Sequence, residues 1–257
     1  MLKKTKKPPE FLEKSQQLLS VCHRLATGPN KYKSLFGKIL EYAFRRDYFT
    51  LQTIVMLVDQ VEADPAKEII FAGSILDLSR RVLEDMLYME YIATKGKEKY
   101  SKQLFDFYAV EKKQDLDFMR SAGVEGDPEL VKQIEADYED VPSKLKDGRH
   151  NWACMSVEQV ISWLVEQGKI EEVKKKDILA LYISGNRKNH TSSTDILHHQ
   201  NQKVLDGTAR LDIEMGLMIT HGALARIGLF LIEETETNEE IKKALWKCWN
   251  SINQEQP

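Results

Sequence analysis

Apolar residues recur at intervals of three and four along most of this chain, a spacing that places them on one face of an α-helix. The alternation of apolar and polar residues that marks a half-buried strand does not persist in the sequence. The helical spacing is clear in two early segments: Leu35, Ile39, Leu40 and Phe44, then Ile54, Leu57 and Val61. The sequence therefore predicts an all-α protein, a multi-helix bundle of long antiparallel helices with no significant sheet.

Residues that begin helices divide this pattern into separate elements. Asp64-Pro65 and Asp127-Pro128 each place an N-cap residue before a proline suited to the first helical position. Ser156 and Gln159 have the spacing of a capping box. Together with the apolar period, these signals predict helices at about 66–94, 97–121, 128–138, 157–168, 173–184, 207–233 and 238–252.

The longest segment without a helical period spans about residues 139–155, and we expect it to form a long loop. A chain of 257 residues fits one large helical domain. We therefore expect a single domain over 10–257, with an amino-terminal bundle at about 10–138 and a carboxyl-terminal bundle at about 156–253. Residues 1–9 are rich in lysine and end in two prolines, which predicts a basic disordered tail.

The composition argues against several classes of protein. A formal net charge of −3 does not favour nonspecific DNA binding. The three cysteines form no CxxC pair, so neither a disulfide framework nor a cysteine zinc site is indicated. The most apolar window, Leu217–Ile232, contains His221 and Arg226 and is shorter than the roughly 20 apolar residues that span a bilayer. We therefore expect a cytoplasmic protein that does not associate with membranes.

One arginine occupies a position on an otherwise apolar helix face. In the helix predicted at 66–94, Arg80 falls between Leu76 and Leu83 at helical spacing. A buried guanidinium needs a charged partner, and Glu84 lies one turn later. The sequence predicts an Arg80–Glu84 pair inside the bundle. The alternative is a pair at the protein surface, which would contribute at most about 1 kcal/mol.

The stretch from Leu181 to His199 holds three of the six histidines. His190 precedes Ser192, which has capping-box spacing with Asp195, so its imidazole would lie just before a helix start, where the helix dipole disfavours the charged form. A neutral imidazole there could exchange a proton near pH 7, or it could hold a turn in place by hydrogen bonding. Possible hydrogen-bond partners, with Ser192, are Tyr182, Ser184 and Asn186.

Three residues further along could hold a metal ion. Asp195, His198 and His199 stand at positions i, i+3 and i+4, which can present a carboxylate and an imidazole on one helix face. No second pair of ligands accompanies them at an established spacing. We therefore expect a solvated polar helix with no metal and no cofactor, and a metal site at these three residues is the alternative.

Four segments together resemble the domain of unknown function 5677 family, a set of uncharacterised, mostly bacterial, all-helical proteins. They are SRRVLEDMLYMEYI at 79–92, KQLFDFYAVEKKQDL at 102–116, NW at 151–152 and LYISGNRKNHTSS at 181–193. The resemblance implies a helical fold and assigns its recurring positions to Arg80, Glu84, Phe105, Lys112, Tyr182, Ser184, His190 and Ser192. It implies no particular activity, because a fold does not by itself carry a function.

The residues leave three functions open. The first is a cytoplasmic binding or effector protein with a polar pocket between helices, which would take a small anionic ligand or a protein partner. Its lining residues would be Arg80, Glu84, Tyr182 and His190.

The second is a metal-independent ribonuclease that resembles the HEPN class of bacterial defence and toxin systems, including phage defence. Arg187 and His190 would cleave RNA by acid-base catalysis, although they stand closer together than in that class.

The third is a homodimeric scaffold without a catalytic site. Its two copies would meet through apolar residues of a carboxyl-terminal helix, namely Leu217, Leu224, Ile227 and Leu231. Packing within one chain explains the same residues equally well. Whether the protein is an enzyme therefore stays open.

Overall fold

The computed structural model describes residues 9–28, 31–32, 34–146, 152–189, 202–235 and 239–253, with the backbone alone at 184–189, 202–207 and 251–253. These ranges contain ten α-helices: α1 Glu10–Thr27, α2 Leu35–Ala63, α3 Glu68–Lys95, α4 Lys97–Ser121, α5 Pro128–Glu139, α6 Ser143–Lys146, α7 Val157–Glu166, α8 Glu172–Asn189, α9 Gln202–Glu234 and α10 Glu239–Asn253. They contain no sheet, only an isolated antiparallel bridge between Tyr32 and Thr235. The predicted all-α class is confirmed. The expected tail lies mostly outside the described residues.

Three of the predicted helix starts are present with the expected hydrogen bonds. The Asp127 carboxylate accepts hydrogen bonds from the backbone amides of the two residues after Pro128. Asp64 caps a short 3₁₀ turn that precedes α3. Ser156 and Gln159 form both halves of a capping box at the start of α7. These local signals work because each satisfies backbone amides that the first helical turn leaves without partners.

Two helices are longer than predicted. α8 continues to residue 189 where the sequence predicted an end near 184, and α9 begins at 202 in place of 207. The apolar period stops at Ile183, so it gave no signal for the last turn of α8. The expected loop at 139–155 contains the one-turn helix α6.

The chain divides into two compact units. Unit 1 consists of Met1–Met89 and Ile170–Pro257, and unit 2 consists of Glu90–Lys169. These boundaries differ from the two bundles expected on either side of the 139–155 loop. Unit 1 is therefore built from two separate parts of the chain, and α3 runs from one unit into the other.

α9 forms the centre of unit 1, where it packs against α1, α2 and α10. Its backbone also comes close to α3 at Gly216. The hydroxyl of Ser79 on α3 lies within hydrogen-bonding distance of two carbonyl oxygens, 3.0 Å from that of Gly216 on α9 and 2.7 Å from that of Ile75 on its own helix. The residues proposed for a dimer seam, Leu217, Leu224, Ile227 and Leu231, are fully buried in this core. A dimer contact through these four side chains is therefore inconsistent with the fold.

The length and the apolar composition of α9 can be compared with those of a membrane-spanning helix. Among the described residues, the segment Thr208–Glu234 is long and apolar enough to cross a bilayer by length and composition. Most of its apolar window is buried inside the protein. The central helix of a globular core passes the same test, so the segment is weak evidence for a membrane.

Unit 2 is organised around α4, which packs against α5 and α6. Unit 2 also contains an aromatic cluster, in which the ring of Tyr91 makes edge contacts with three neighbours. The centroid distances are 5.4 Å to Tyr100, 6.2 Å to Trp152 and 5.0 Å to Trp163. The Gln103 side chain joins α4 to this cluster by donating to the carbonyl oxygen of Trp152.

Candidate functional site

Arg80 lies in the middle of α3, with a side chain that is only 15% exposed. Its Nη1 stands 3.3 Å from Oε2 of Glu84, so the expected pair one turn apart is present. Its Nη2 stands 3.5 Å from Oδ1 of Asp77, a second partner that the sequence analysis missed. Asp77 occupies position i−3, which was a readable signal for such a contact. The arginine is therefore held from both sides along its own helix.

The hydrogen-bonding capacity of Arg80 is only partly used. A guanidinium group has five N–H donors, and both carboxylate contacts are near the upper limit for a hydrogen bond. Its Nε is buried and has no hydrogen-bond partner within the described residues. Buried polar groups without partners are uncommon in folded proteins and are costly. Arg80 therefore retains donor capacity toward an incoming acceptor.

Tyr182 on α8 forms the other side of this site. The central carbon of the Arg80 guanidinium lies 5.8 Å from the centroid of the Tyr182 ring, within the range of a cation–π contact. The structure thus brings together Arg80, Glu84 and Tyr182, three of the four residues that we predicted from the sequence to line one pocket. We call Asp77, Arg80, Arg81, Glu84 and Tyr182 the Arg80 cluster.

The charges of the Arg80 cluster balance. Arg81, which is 64% exposed, donates to the second oxygen of Asp77 at 3.2 Å. Two arginines therefore stand with two carboxylates. What distinguishes Arg80 from Arg81 is its burial, because a guanidinium screened from water binds an acceptor oxygen more strongly than an exposed one.

The remaining candidates lie on α8 or beyond it. Positions 184, 186 and 187 belong to α8, so Ser184, Asn186 and Arg187 extend the same helix that carries Tyr182. His190 and Ser192 lie outside the described residues, as do the possible metal ligands Asp195, His198 and His199. Within the described part of the chain, no group of three histidine, cysteine or acidic residues could hold a metal ion.

A second group of charged residues joins α2 to α3, and the sequence analysis missed it. Arg46 donates to the carboxylate of Asp85, and its Nε lies 3.7 Å from Oδ1 of Asp47. Asp47 is almost fully buried, and its Oδ2 has no hydrogen-bond partner among the described residues. Burial raises the pKa of Asp47 to about 8, although Arg46 acts in the opposite direction. The signal was present, since Asp47 stands between Phe44 and Leu51 on the apolar face of α2.

Comparison with protein-family models, curated proteins and solved structures finds no match to this chain. The resemblance to the domain of unknown function 5677 family therefore stays a prediction. The fold and site define an all-helical protein with a largely buried arginine between two carboxylates and a tyrosine ring.

Proposed function

We propose that this chain is a cytoplasmic binding protein whose Arg80 cluster receives an acidic oxygen of a small ligand. The observation that carries the proposal is the largely buried Arg80 guanidinium. It has two long carboxylate contacts and a buried Nε for which the described part of the chain offers no hydrogen-bond partner. A carboxylate or phosphate oxygen would give this group a shorter, charge-assisted hydrogen bond than either neighbour provides.

The other members of the cluster have distinct roles in this proposal. Asp77 and Glu84 hold the guanidinium in place while the site is empty, which reduces the ordering that a ligand must impose. The Tyr182 ring forms one wall. Further contacts would come from the α8 positions Ser184 and Asn186 and from the following segment, which carries His190 and Ser192. These four residues remain predictions from the sequence.

The proposal is tested by exchanging the arginine while keeping its charge. The melting temperature of the native protein is measured with millimolar inorganic phosphate, citrate or adenosine monophosphate, and we expect at least one to raise it by a few degrees. Arg80→Lys should abolish the rise, because an ammonium group lacks the planar fork that binds two oxygens. Arg81→Lys is the matched control, since it changes an exposed neighbour on the same helix, and it should retain the rise.

Isothermal titration calorimetry with the most effective of these anions then measures affinity directly. We expect Arg80→Lys to weaken binding at least tenfold, which corresponds to about 1.4 kcal/mol. Absence of binding of all three anions to the native protein would contradict the proposal, as would equal affinities for native protein and Arg80→Lys. Each variant is first compared with the native protein in the absence of anion, so that a folding defect is recognised as such.

A metal-independent ribonuclease is a second candidate, favoured by the length of α8. Because that helix extends to Asn189, Arg187 occupies its last turn and His190 follows it directly. A cation near the carboxyl end of a helix is in a favourable field, and a histidine three positions later in the sequence has the right chemistry for proton transfer. In this reading Arg187 stabilises the charge that develops on the phosphate and His190 moves the proton. The two functions depend on different arginines, so they are separable by mutation.

A further inference from the structure

The two carboxylates of the Arg80 cluster differ in their contacts and in their exposure. Asp77 is shared between two arginines, because its Oδ1 stands 3.5 Å from Nη2 of Arg80 and its Oδ2 accepts from Arg81 at 3.2 Å. Glu84 contacts Arg80 through Oε2, at 3.3 Å from Nη1. Glu84 is the more exposed of the two, with 28% of its side chain open to solvent against 17% for Asp77. A small molecule that reaches Arg80 from solvent therefore passes beside Glu84.

The balance of charge in the Arg80 cluster favours a ligand that is neutral as a whole. Two guanidinium groups stand with two carboxylates, so a ligand that carries only one acidic group adds a negative charge in excess. An excess charge is costly where the side chains are screened from water, as those of Arg80 and Asp77 are. A ligand that brings an ammonium group together with its acid keeps the balance.

The distances in the cluster suit a ligand with both groups close together. An acidic oxygen bound to Nη1 of Arg80 lies about 2.9 Å from that nitrogen. Glu84 Oε2 lies 3.3 Å from the same nitrogen. The two oxygens are therefore at most about 6 Å apart. The amino nitrogen of an α-amino acid lies about 3 Å from its carboxylate oxygens, so it fits between them and donates to Glu84.

We propose that the ligand of the Arg80 cluster is a free α-amino acid, whose carboxylate binds Arg80 and whose ammonium group binds Glu84. This inference rests on the proposed function, because it requires that Arg80 receives an acidic oxygen. The ammonium group gives Glu84 a positive partner when the ligand carboxylate takes up the charge of Arg80. Tyr182 lies beside the guanidinium and offers the side chain of the amino acid an aromatic surface.

Matched pairs of compounds test the inference by isothermal titration calorimetry of the full chain. L-alanine, L-leucine and L-phenylalanine are each compared with the acid that lacks the amino group, namely propionate, 4-methylpentanoate and 3-phenylpropionate. We expect the amino acid of at least one pair to bind at least tenfold more tightly than its acid, because only the amino acid donates to Glu84. If every acid binds as tightly as its amino acid, the inference is overturned and the proposed function stays in place. If none of the six compounds binds, the inference is also overturned, and the anion titrations above decide the proposed function separately.

Glu84→Gln tests whether the amino group binds at Glu84. The amide keeps an oxygen that accepts from Arg80 but lacks the charge that attracts an ammonium group. We expect it to lower the affinity for the amino acid at least tenfold and to leave the affinity for the matched acid unchanged or higher. Glu13→Gln makes the same change at an exposed glutamate of α1 and is the control that should preserve the preference. Circular dichroism establishes that both variants keep the native helix content.

Arg80→Lys separates this inference from the proposed function. It should weaken both members of a pair, because both bind through a carboxylate, whereas Glu84→Gln should weaken the amino acid alone. A preference for the amino acid that survives Glu84→Gln would mean that the ammonium group binds elsewhere, and would overturn the inference. An amino acid whose affinity is unchanged by Arg80→Lys binds away from the Arg80 cluster, which contradicts both proposals.

Discussion

Asp47 places a carboxyl group among the apolar side chains that α2 buries. Its usual pKa in an unfolded chain is near 4, and burial raises the pKa to about 8 in the folded protein. Between these values the folded protein keeps a proton that the unfolded chain has released. The free energy of unfolding that depends on Asp47 therefore falls as the pH rises from about 4 to about 8.

We expect Asp47→Asn to stabilise the protein at pH 8 by on the order of 2 kcal/mol, because the amide carries no proton that alkaline pH removes. The gain should shrink toward pH 5, where the carboxyl group is itself neutral. Urea denaturation at pH 5, 6.5 and 8 measures both values. Asp59→Asn on the exposed side of the same helix is the control and should follow the native protein at each pH. A gain of the same size at every pH would show that titration of Asp47 is not its cause.

The Arg80 site shows how far single residues could be predicted. The position of Arg80 on an apolar face, and Glu84 one turn later, were readable from spacing alone. The contact with the Tyr182 ring was proposed from a shared pocket but could not be derived, because the two residues are about a hundred positions apart in the chain. That the Nε of Arg80 finds no hydrogen-bond partner among the residues the structure describes depends on the local packing of side chains, which no pattern in the sequence encodes.

At the scale of helices, the prediction worked wherever a chemical signal marks an end. Proline and N-cap residues fixed the starts of α5 and α7. The carboxyl end of α8 and the start of α9 were misplaced because polar residues there neither continue an apolar face nor break a helix. The pairing of helices was also beyond the sequence. Periodicity shows that a helix has a buried face but not which neighbour covers it.

The crossing of α9 over α3 depends on a residue without a side chain. A Cβ atom at position 216 would lie 2.7 Å from Cγ2 of Ile75 and 2.9 Å from the Ser79 hydroxyl oxygen. Alanine normally stabilises a helix interior relative to glycine by about 1 kcal/mol. Here we expect Gly216→Ala to destabilise the protein by about 2 kcal/mol, because the two helices must move apart. Urea denaturation measures the change.

Leu211→Ala provides the comparison for Gly216→Ala. It alters an exposed residue of α9 and should change the free energy of unfolding by less than about 0.5 kcal/mol. If Gly216→Ala were neutral or stabilising, the close approach of α3 and α9 would not constrain this position.

For the whole molecule, the ribonuclease candidate makes a prediction at the level of the cell. If Arg187 and His190 cleave RNA, induced expression in bacteria should arrest growth and fragment total RNA. Arg187→Ala and His190→Ala should each restore growth and intact RNA, whereas Arg80→Lys should not. Electrophoresis of total RNA after induction is the measurement. Intact RNA with the native protein at high expression would count against this function and leave the binding proposal in place.

The division of the chain into units has a consequence for protein synthesis. Unit 2 occupies one continuous stretch, so all of it leaves the ribosome before α9 has been translated. α1 and α2 are translated before unit 2, yet α9, which packs against both of them, is translated after it. During that interval their apolar side chains are available to chaperones and proteases. A premature stop before residue 202 would therefore give a truncated protein that contains all of unit 2. Its amino-terminal helices α1 and α2 would lack α9, the helix that completes their core.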